Sequence, residues 1–351
     1  MTVKNQSPVP FAFPGREKLG IGSITVLCGD IGGTKTNLAV FRVSRDSMKV
    51  LAENKYHSAK FSSCIDIIKL FIKEEKLPLP DRICLGVAGP VVQGKVELTN
   101  LPWDLDVEDL KKRLGVPEVS LINDLEATAY GLAAITTKDL ITLHKGNSSN
   151  GGNIAIIAPG TGLGEAGLYW DGNFYHPFST EGGHSDFCPR SALDFSLQLF
   201  LEKKYGVVSW EKVVAGPGIR DIYLFLVSSK KTKQPAWILK AFKKEDPSSV
   251  ISHAALHLRD RVCVETMQLY VRYLARESSN LVLKMKATGG LYLGGGIPPK
   301  IAPLLKRKAF FKHYLDCDRM QNLVRNVPIK IMANDKTALM GAACYGAYEM
   351  T

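Results

Sequence analysis

From Thr25 to Val43 an apolar stretch, β-branched at its start, runs into Gly32-Gly33 and out into a second apolar stretch. So short a strand–glycine–strand run allows little but a tight hairpin. Glycines there remove the Cβ atoms and permit φ > 0, so backbone N–H groups can converge on one point. Such a nest binds phosphate oxygens. Asp30, just before the glycines, stands where a carboxylate can hold a metal ion beside those phosphates, directly or through water. Taken alone, the stretch reads as a hairpin with an Asp-containing turn, and only matching pieces downstream change that.

Matching pieces do follow. Ile154 to Pro159 is an apolar strand that enters Gly160-Thr161-Gly162-Leu163-Gly164 and continues through Leu168 and Trp170. A dinucleotide-binding turn runs from strand into helix, whereas the residues after Gly164 read as strand, so a second phosphate-binding hairpin fits better. A third cluster, Thr288-Gly289-Gly290-Leu-Tyr-Leu-Gly294-Gly295-Gly296-Ile297-Pro298, offers a backbone surface on which a flat base can lie. No G-x-x-x-x-G-K-[ST] sequence occurs.

The intervening pattern is that of an α/β protein. Ile65, Ile68, Phe71 and Ile72 recur at helical spacing between Ser63 and Lys76. Ile83 to Pro90 reads as a strand entering a glycine turn, Val96 to Leu101 as a short strand, and Asp106 to Leu114 as a capped helix stopped by Gly115. Val119 to Ile122 is a strand ending at Asn123-Asp124, after which Leu125 to Ile135 looks helical. The carboxyl end of such a strand is where open α/β sheets place ligands. Asp124 is therefore either a helix N-cap or a general base whose neighbour Asn123 holds the same ligand.

Ser179 to Phe187 sets Glu181 and His184 around a double glycine, a loop suited to sugar hydroxyls that both donate and accept. Glu211 opens a later helix, where it also serves the helix dipole. Helical patterning dominates from Ile219 to Met285. After a strand at Val327 to Met332, Asn334-Asp335 starts a helix whose Ala338, Ala342, Ala343 and Gly346 permit a close crossing.

Composition closes off other classes. The net charge of +11 suits a polyanion partner, but the lysines around 230–244 and 306–312 come without any nucleic-acid-binding motif and read as solvated helix faces. No apolar run reaches the length of a membrane span. The seven cysteines are scattered and never in C-x-x-C spacing, which fits reduced thiols in the cytoplasm. Residues 1–23 lack a signal peptide's apolar region and read as a loose extension.

Together these motifs resemble the bacterial-type glucokinase family. The resemblance rests on Gly-Asp-Ile-Gly-Gly-Thr (29–34), Ile-Asn-Asp-Leu (122–125), Pro-Gly-Thr-Gly-Leu-Gly (159–164), Glu-Gly-Gly-His-x-Asp-Phe (181–187), Gly-Pro-Gly (216–218), Gly-Gly-Leu-Tyr-Leu-Gly-Gly-Gly-Ile (289–297) and the last Asn-Asp-helix segment. It implies an actin/hexokinase-like fold of two α/β domains closing on a cleft. The smaller domain is residues 24–134 plus 335–351, and the larger is 135–334. It implies ATP-dependent phosphorylation of glucose at the 6-hydroxyl, with Mg²⁺ and a homodimeric assembly.

Carried over, Asp124 is the catalytic base, and Asn123, Glu181, His184 and Glu211 hold the other hydroxyls. Asp30, Gly32, Gly33 and Thr34 form the first phosphate loop, with Asp30 toward the metal. Gly160, Thr161 and Gly162 form the second loop, and Gly294 and Gly295 the adenosine site. The zinc-dependent branch carries a cysteine cluster after its Glu-x-Gly-His, where this chain has Cys188 alone. Another hexose or an N-acetylhexosamine, polyphosphate as donor, and a sugar-sensing regulator are the competing readings.

Overall fold

A computed structural model describes residues 2–4, 9–13, 22–98, 101–147, 151–258 and 260–348. Parts of the extension, of the 96–101 strand and of the 146–152 loop thus lie outside the described residues. The chain divides into two compact units. The first comprises Met1–Leu140, Leu168–Ser179 and Asn334–Thr351, and the second Ile141–Gly167 and Thr180–Ala333.

The first unit contains β1 (Thr2–Lys4), β2 (Ser23–Ile31), β3 (Lys35–Ser44), β4 (Ser47–His57), β5 (Arg82–Val87), β6 (Lys95–Glu97), β7 (Asp104–Asp106) and β8 (Glu118–Asn123). Its main sheet has the order β1-β4-β3-β2-β5-β8. The β2–β3–β4 ladder is antiparallel and the β2–β5–β8 ladder parallel. The hairpin read from the sequence is present, with strands so long that Gly32–Thr34 alone separates them.

One face of this sheet is covered by the helix Cys64–Glu74. Ser63 caps it by accepting from the Asp66 N–H, and Ile65, Ile67, Ile68 and Phe71 are buried. Each such side chain contributes about 1.5–3 kcal/mol relative to exposure. The helix Val107–Leu114 is capped by Asp106 and ends at Gly115, whose φ of 71° suits glycine.

The last helix, Thr337–Tyr348, packs on β2 and β5 and crosses the helix Asp124–Gly131. The crossing is close because both helices bring glycine to it. A Cβ on Gly341 would lie 1.7 Å from the Ala127 carbonyl oxygen, and one on Gly131 2.2 Å from that of Thr337. Gly341→Val should therefore force the helices apart and cost at least about 1–3 kcal/mol. Thermal unfolding checks this, and an unchanged melting temperature would refute the packing argument.

Residues 9–13 differ from the expected loose extension. Val9 and Phe11 are buried, and Phe13 stacks 6.1 Å from Tyr130 and lies 5.1 Å from Tyr348, ring centre to ring centre. Aromatic burial on the helix pair outweighs the entropy of a free segment.

The remaining strands are β9 (Leu140–His144), β10 (Ile154–Pro159), β11 (Leu163–Trp170), β12 (Tyr175–Thr180), β13 (Gly290–Leu293) and β14 (Ile329–Met332). They form a second sheet in the order β12-β11-β10-β13-β14-β9, with β10, β13 and β14 parallel. The predicted helical region resolves into Gly216–Ser229, Ala236–Phe242, Pro247–His253 and the long Arg261–Met285. Pro235 and Pro247 stand at two of the breaks, where a chain cannot continue a helix. The core of this unit lies between these helices and β10, β13 and β14.

Candidate active site

In the first unit, strand register sets Ile31, Val87 and Asn123 side by side at the carboxyl ends of β2, β5 and β8. The Gly32–Thr34 turn follows at that end. Ser58 pins it, donating its hydroxyl to the Gly32 carbonyl (2.8 Å) and its N–H to that of Thr34 (3.2 Å). Gly32 does not use the left-handed region; a Cβ there would instead press on the Lys35 carbonyl at 3.2 Å. The Gly32 N–H is spent on that same carbonyl, whereas the amides of Gly33 and Thr34 donate to no backbone carbonyl of the turn.

Asp30 Oδ2 accepts from the Asn37 amide at 2.9 Å. Burial raises the affinity of Asp30 for a proton, and the Asn37 bond and Lys55 charge offset this only in part. A carboxylate so desolvated gains from a nearby cation. A lone carboxylate is an oxygen ligand of the kind Mg²⁺ takes, so Asp30 fits that ion.

Asn123, not Asp124, is the N-cap. Its Oδ1 accepts from the N–H groups of Leu125 (2.9 Å) and Glu126 (3.3 Å), while its Nδ2 donates to the Gly89 carbonyl (3.2 Å). The second N–H of that amide is what Asn123 has to offer a ligand. Asp124 is the first helical residue, half-exposed, with Oδ1 accepting from the Leu125 N–H at 2.8 Å.

In the second unit, Gly160–Gly162 joins β10 to β11. The Gly160 N–H closes on the Gly162 carbonyl (2.8 Å), and the Gly216 N–H donates to the Gly160 carbonyl (2.8 Å). Those of Thr161 and Gly162 donate to no backbone carbonyl of the turn. The Gly294–Gly295 turn reaches the same end of β10, since the Gly294 N–H donates to the Ile157 carbonyl (2.8 Å). Gly295 has φ of 74°, and a Cβ on it would lie 2.5 Å from the Pro159 oxygen, so both conformation and space call for glycine.

Glu211 meets this turn directly. Its Oε2 accepts from the Leu163 N–H at 3.2 Å, and a Cβ on Gly162 would lie 2.7 Å from that oxygen. Its Oε1 pairs with Lys212 Nζ at 2.9 Å. Burial pushes its carboxyl pKa up, but Lys212, the Leu163 N–H and the charge on His184 outweigh burial and hold it below the ordinary range. Glu211 is therefore an ionised acceptor. Glu181 and His184 flank a single turn, Gly182–His184, both exposed, with His184 Nε2 3.9 Å from Glu181 Oε2. The turn is tied to the Glu211 helix by the Trp210 N–H, which donates to the Ser185 carbonyl (2.9 Å). Among the described residues, no group of three or more His, Cys, Asp or Glu is placed to hold a metal ion.

The second unit thus gathers Gly160, Thr161, Gly162, Glu211, Glu181, His184, Gly294 and Gly295. The first gathers Asp30, Gly32, Gly33, Thr34, Asn123 and Asp124. Sequence reasoning passed over Glu165, which lies buried against the Gly182–His184 turn; its signal was a lone carboxylate in an otherwise apolar strand.

The glucokinase family model matches residues 27–349. A glucokinase from Nostoc punctiforme is 38% identical over 336 residues, covering 92% of this chain and 98% of the relative. The solved glucokinase of an Antarctic psychrotroph superposes with a TM-score of 0.76 at 29% identity, covering 92% of this chain and 98% of its own. A ROK family glucokinase from Streptomyces griseus, solved with glucose and AMPPNP, shares the fold with a TM-score of 0.63 at 19% identity, over 93% and 99% of the two chains. No helix among the described residues is long and apolar enough to cross a membrane. The match over nearly the whole chain, and the relative above 30% identity, place this protein in the glucokinase family.

Proposed function

We propose that this protein transfers the γ-phosphoryl group of ATP to the 6-hydroxyl of glucose, with Asp124 as the base. The observation that carries this reading is the division of labour at the end of β8. Asn123 supplies the helix cap, so the neighbouring carboxylate is not needed to hold the helix. The P–O bond to the β-phosphate breaks, a bond from phosphorus to the sugar oxygen forms, and the hydroxyl proton goes to Asp124. ADP carries away the electron pair of the broken bond. The transition state is loose, so positioning and charge neutralisation supply most of the rate.

The amides of Gly33, Thr34, Thr161 and Gly162 bind phosphate oxygens. Glu181, His184 and Glu211 orient the remaining sugar hydroxyls, and Gly294–Gly295 takes the adenosine. Mg²⁺, with Asp30 beside it, neutralises the phosphate oxygens when bound. The buried thiols suit a reducing cytoplasm.

A coupled phosphorylation assay over a hexose panel, with ATP and polyphosphate as donors, tests the reading. Glucose with ATP should give the highest kcat/KM, and a better rate with another hexose or with polyphosphate would replace it.

A further inference from the structure

Behind the Gly182–His184 turn lies a carboxyl group with no hydrogen-bonding partner. Glu165, on β11, is 1% exposed, and neither of its carboxylate oxygens has a partner. Its position is tight: a Cβ on Gly182 would lie 2.1 Å from Glu165 Oε2. The backbone ties the same two segments together. Thr180 Oγ1 donates to the Glu165 carbonyl (3.0 Å) and accepts from the Gly182 N–H (3.2 Å). Ser185 closes the turn from the other side, donating its hydroxyl to the Gly182 carbonyl (2.6 Å). A buried polar group left without partners costs free energy and calls for an explanation.

We propose that Glu165 is a positioning residue for sugar binding, a neutral carboxylic acid on which the turn carrying Glu181 and His184 rests. This rests on the reading of those two residues as sugar contacts. A neutral acid is the cheaper form at so buried a place without partners, whereas an ionised one must draw water or displace Gly182. Burial, and then the charge of Glu277, push the Glu165 carboxyl up to about 8, with Lys284 opposing. Glu277 and Lys284 both belong to the helix Arg261–Met285, and Glu277 is fully buried. The sign follows directly. Glu165 is protonated at neutral pH and loses its proton as the pH rises through about 8, so glucose should bind more weakly above that pH.

The experiment measures KM for glucose and kcat from pH 6 to pH 9.5 on wild-type protein, Glu165→Gln, Glu277→Gln and His184→Ala. Wild-type KM should rise about three- to tenfold across the alkaline limb, as for a coupling of half to one pK unit, with kcat unchanged relative to Glu165→Gln. Glu165→Gln, which cannot ionise, should keep a flat KM. Glu277→Gln should move the wild-type inflection to lower pH, which holds the inference to account if Glu165→Gln fails to fold. Identical KM profiles for wild type and Glu165→Gln, or an unmoved inflection in Glu277→Gln, overturn the proposal. His184→Ala should raise KM at every pH. If it does and the Glu165 profiles coincide, the sugar-site reading stands and this inference falls; if it leaves KM unchanged, both fall.

Discussion

Asp124→Asn should fold normally and lose about 10²–10⁴-fold in kcat, the usual consequence of removing a positioned general base. The substitution keeps the size of the side chain and one acceptor but cannot take the proton of the sugar hydroxyl. The competing role of Asp124, holding the helix start, makes a different forecast. It is already weakened because the Leu125 and Glu126 amides are capped by Asn123. Stability should therefore change by no more than about 0.5 kcal/mol, as for a surface substitution. Removing a charge near bound phosphates can tighten ATP binding, so kcat is the quantity to follow, with glucose KM and melting temperature from the same preparation. A folded variant turning over at near wild-type rate would remove Asp124 from the mechanism. Asn123→Ala should cost about 1 kcal/mol of stability through the lost cap and raise glucose KM as well.

The largest loss of stability is expected at Asp194→Ala. Asp194 is 1% exposed and joins the start of the helix Ala192–Tyr205 to the long helix Arg261–Met285. Its carboxylate pairs with Arg272 and with Arg276 (2.8 Å), and accepts from the Tyr273 hydroxyl (2.9 Å) and the Arg190 N–H (3.0 Å). Arg276 is itself buried and donates to the Cys188 carbonyl, which anchors the segment just past the Gly182–His184 turn. Truncating Asp194 leaves a buried guanidinium uncompensated, at a cost of about 3–5 kcal/mol. That corresponds to roughly 6–20 °C in melting temperature. Glucose KM should rise as well, because the Glu181–His184 turn loses its footing.

The same carboxylate sets an acid limit. Burial pushes its pKa up, but the Arg190 N–H, the Arg272 charge and the hydroxyls of Tyr273 and Ser191 outweigh burial and hold it below the ordinary Asp value of 3.8. A depressed pKa contributes stability that is complete above the ordinary value and is lost as pH falls through the folded one. Wild-type protein should therefore lose stability below about pH 4 more steeply than Asp194→Asn. Parallel acid-melting curves for the two would dismiss the ion cluster as the cause.

Sequence alone carried much of the fold and pointed to the candidate site residues. Hairpins around Gly32-Gly33 and Gly160–Gly162, the helices after Ser63 and Asp106, and the strands at Ile83 and Val119 are legible because they depend on short-range rules. Apolar periodicity, glycine turns and Ser or Asp caps act within a few residues of where they are written. β4 and β12 escaped notice because both mix exposed polar residues with few buried ones and obtain their hydrogen bonds from partners already in the sheet. Of the two reasons the sequence offers for glycine at position 32, positive φ is not used, and the missing Cβ is what counts, because one would press on the Lys35 carbonyl.

Other features were decided only by tertiary structure, because their causes are distant in the chain. Asn123 and Asp124 compete for one helix cap, and which wins depends on the Gly89 carbonyl that receives the Asn123 amide. The arginine partners of Asp194 lie 78 and 82 residues away, so no local pattern announces them. Glu165 and Gly182 are 17 positions apart in sequence, yet their contact depends on how β11 passes behind the turn. Local chemistry determined which groups this chain could bring to a phosphate and a sugar. Burial then determined which of those groups are charged, since desolvation and neighbouring charge exist only once the chain is folded.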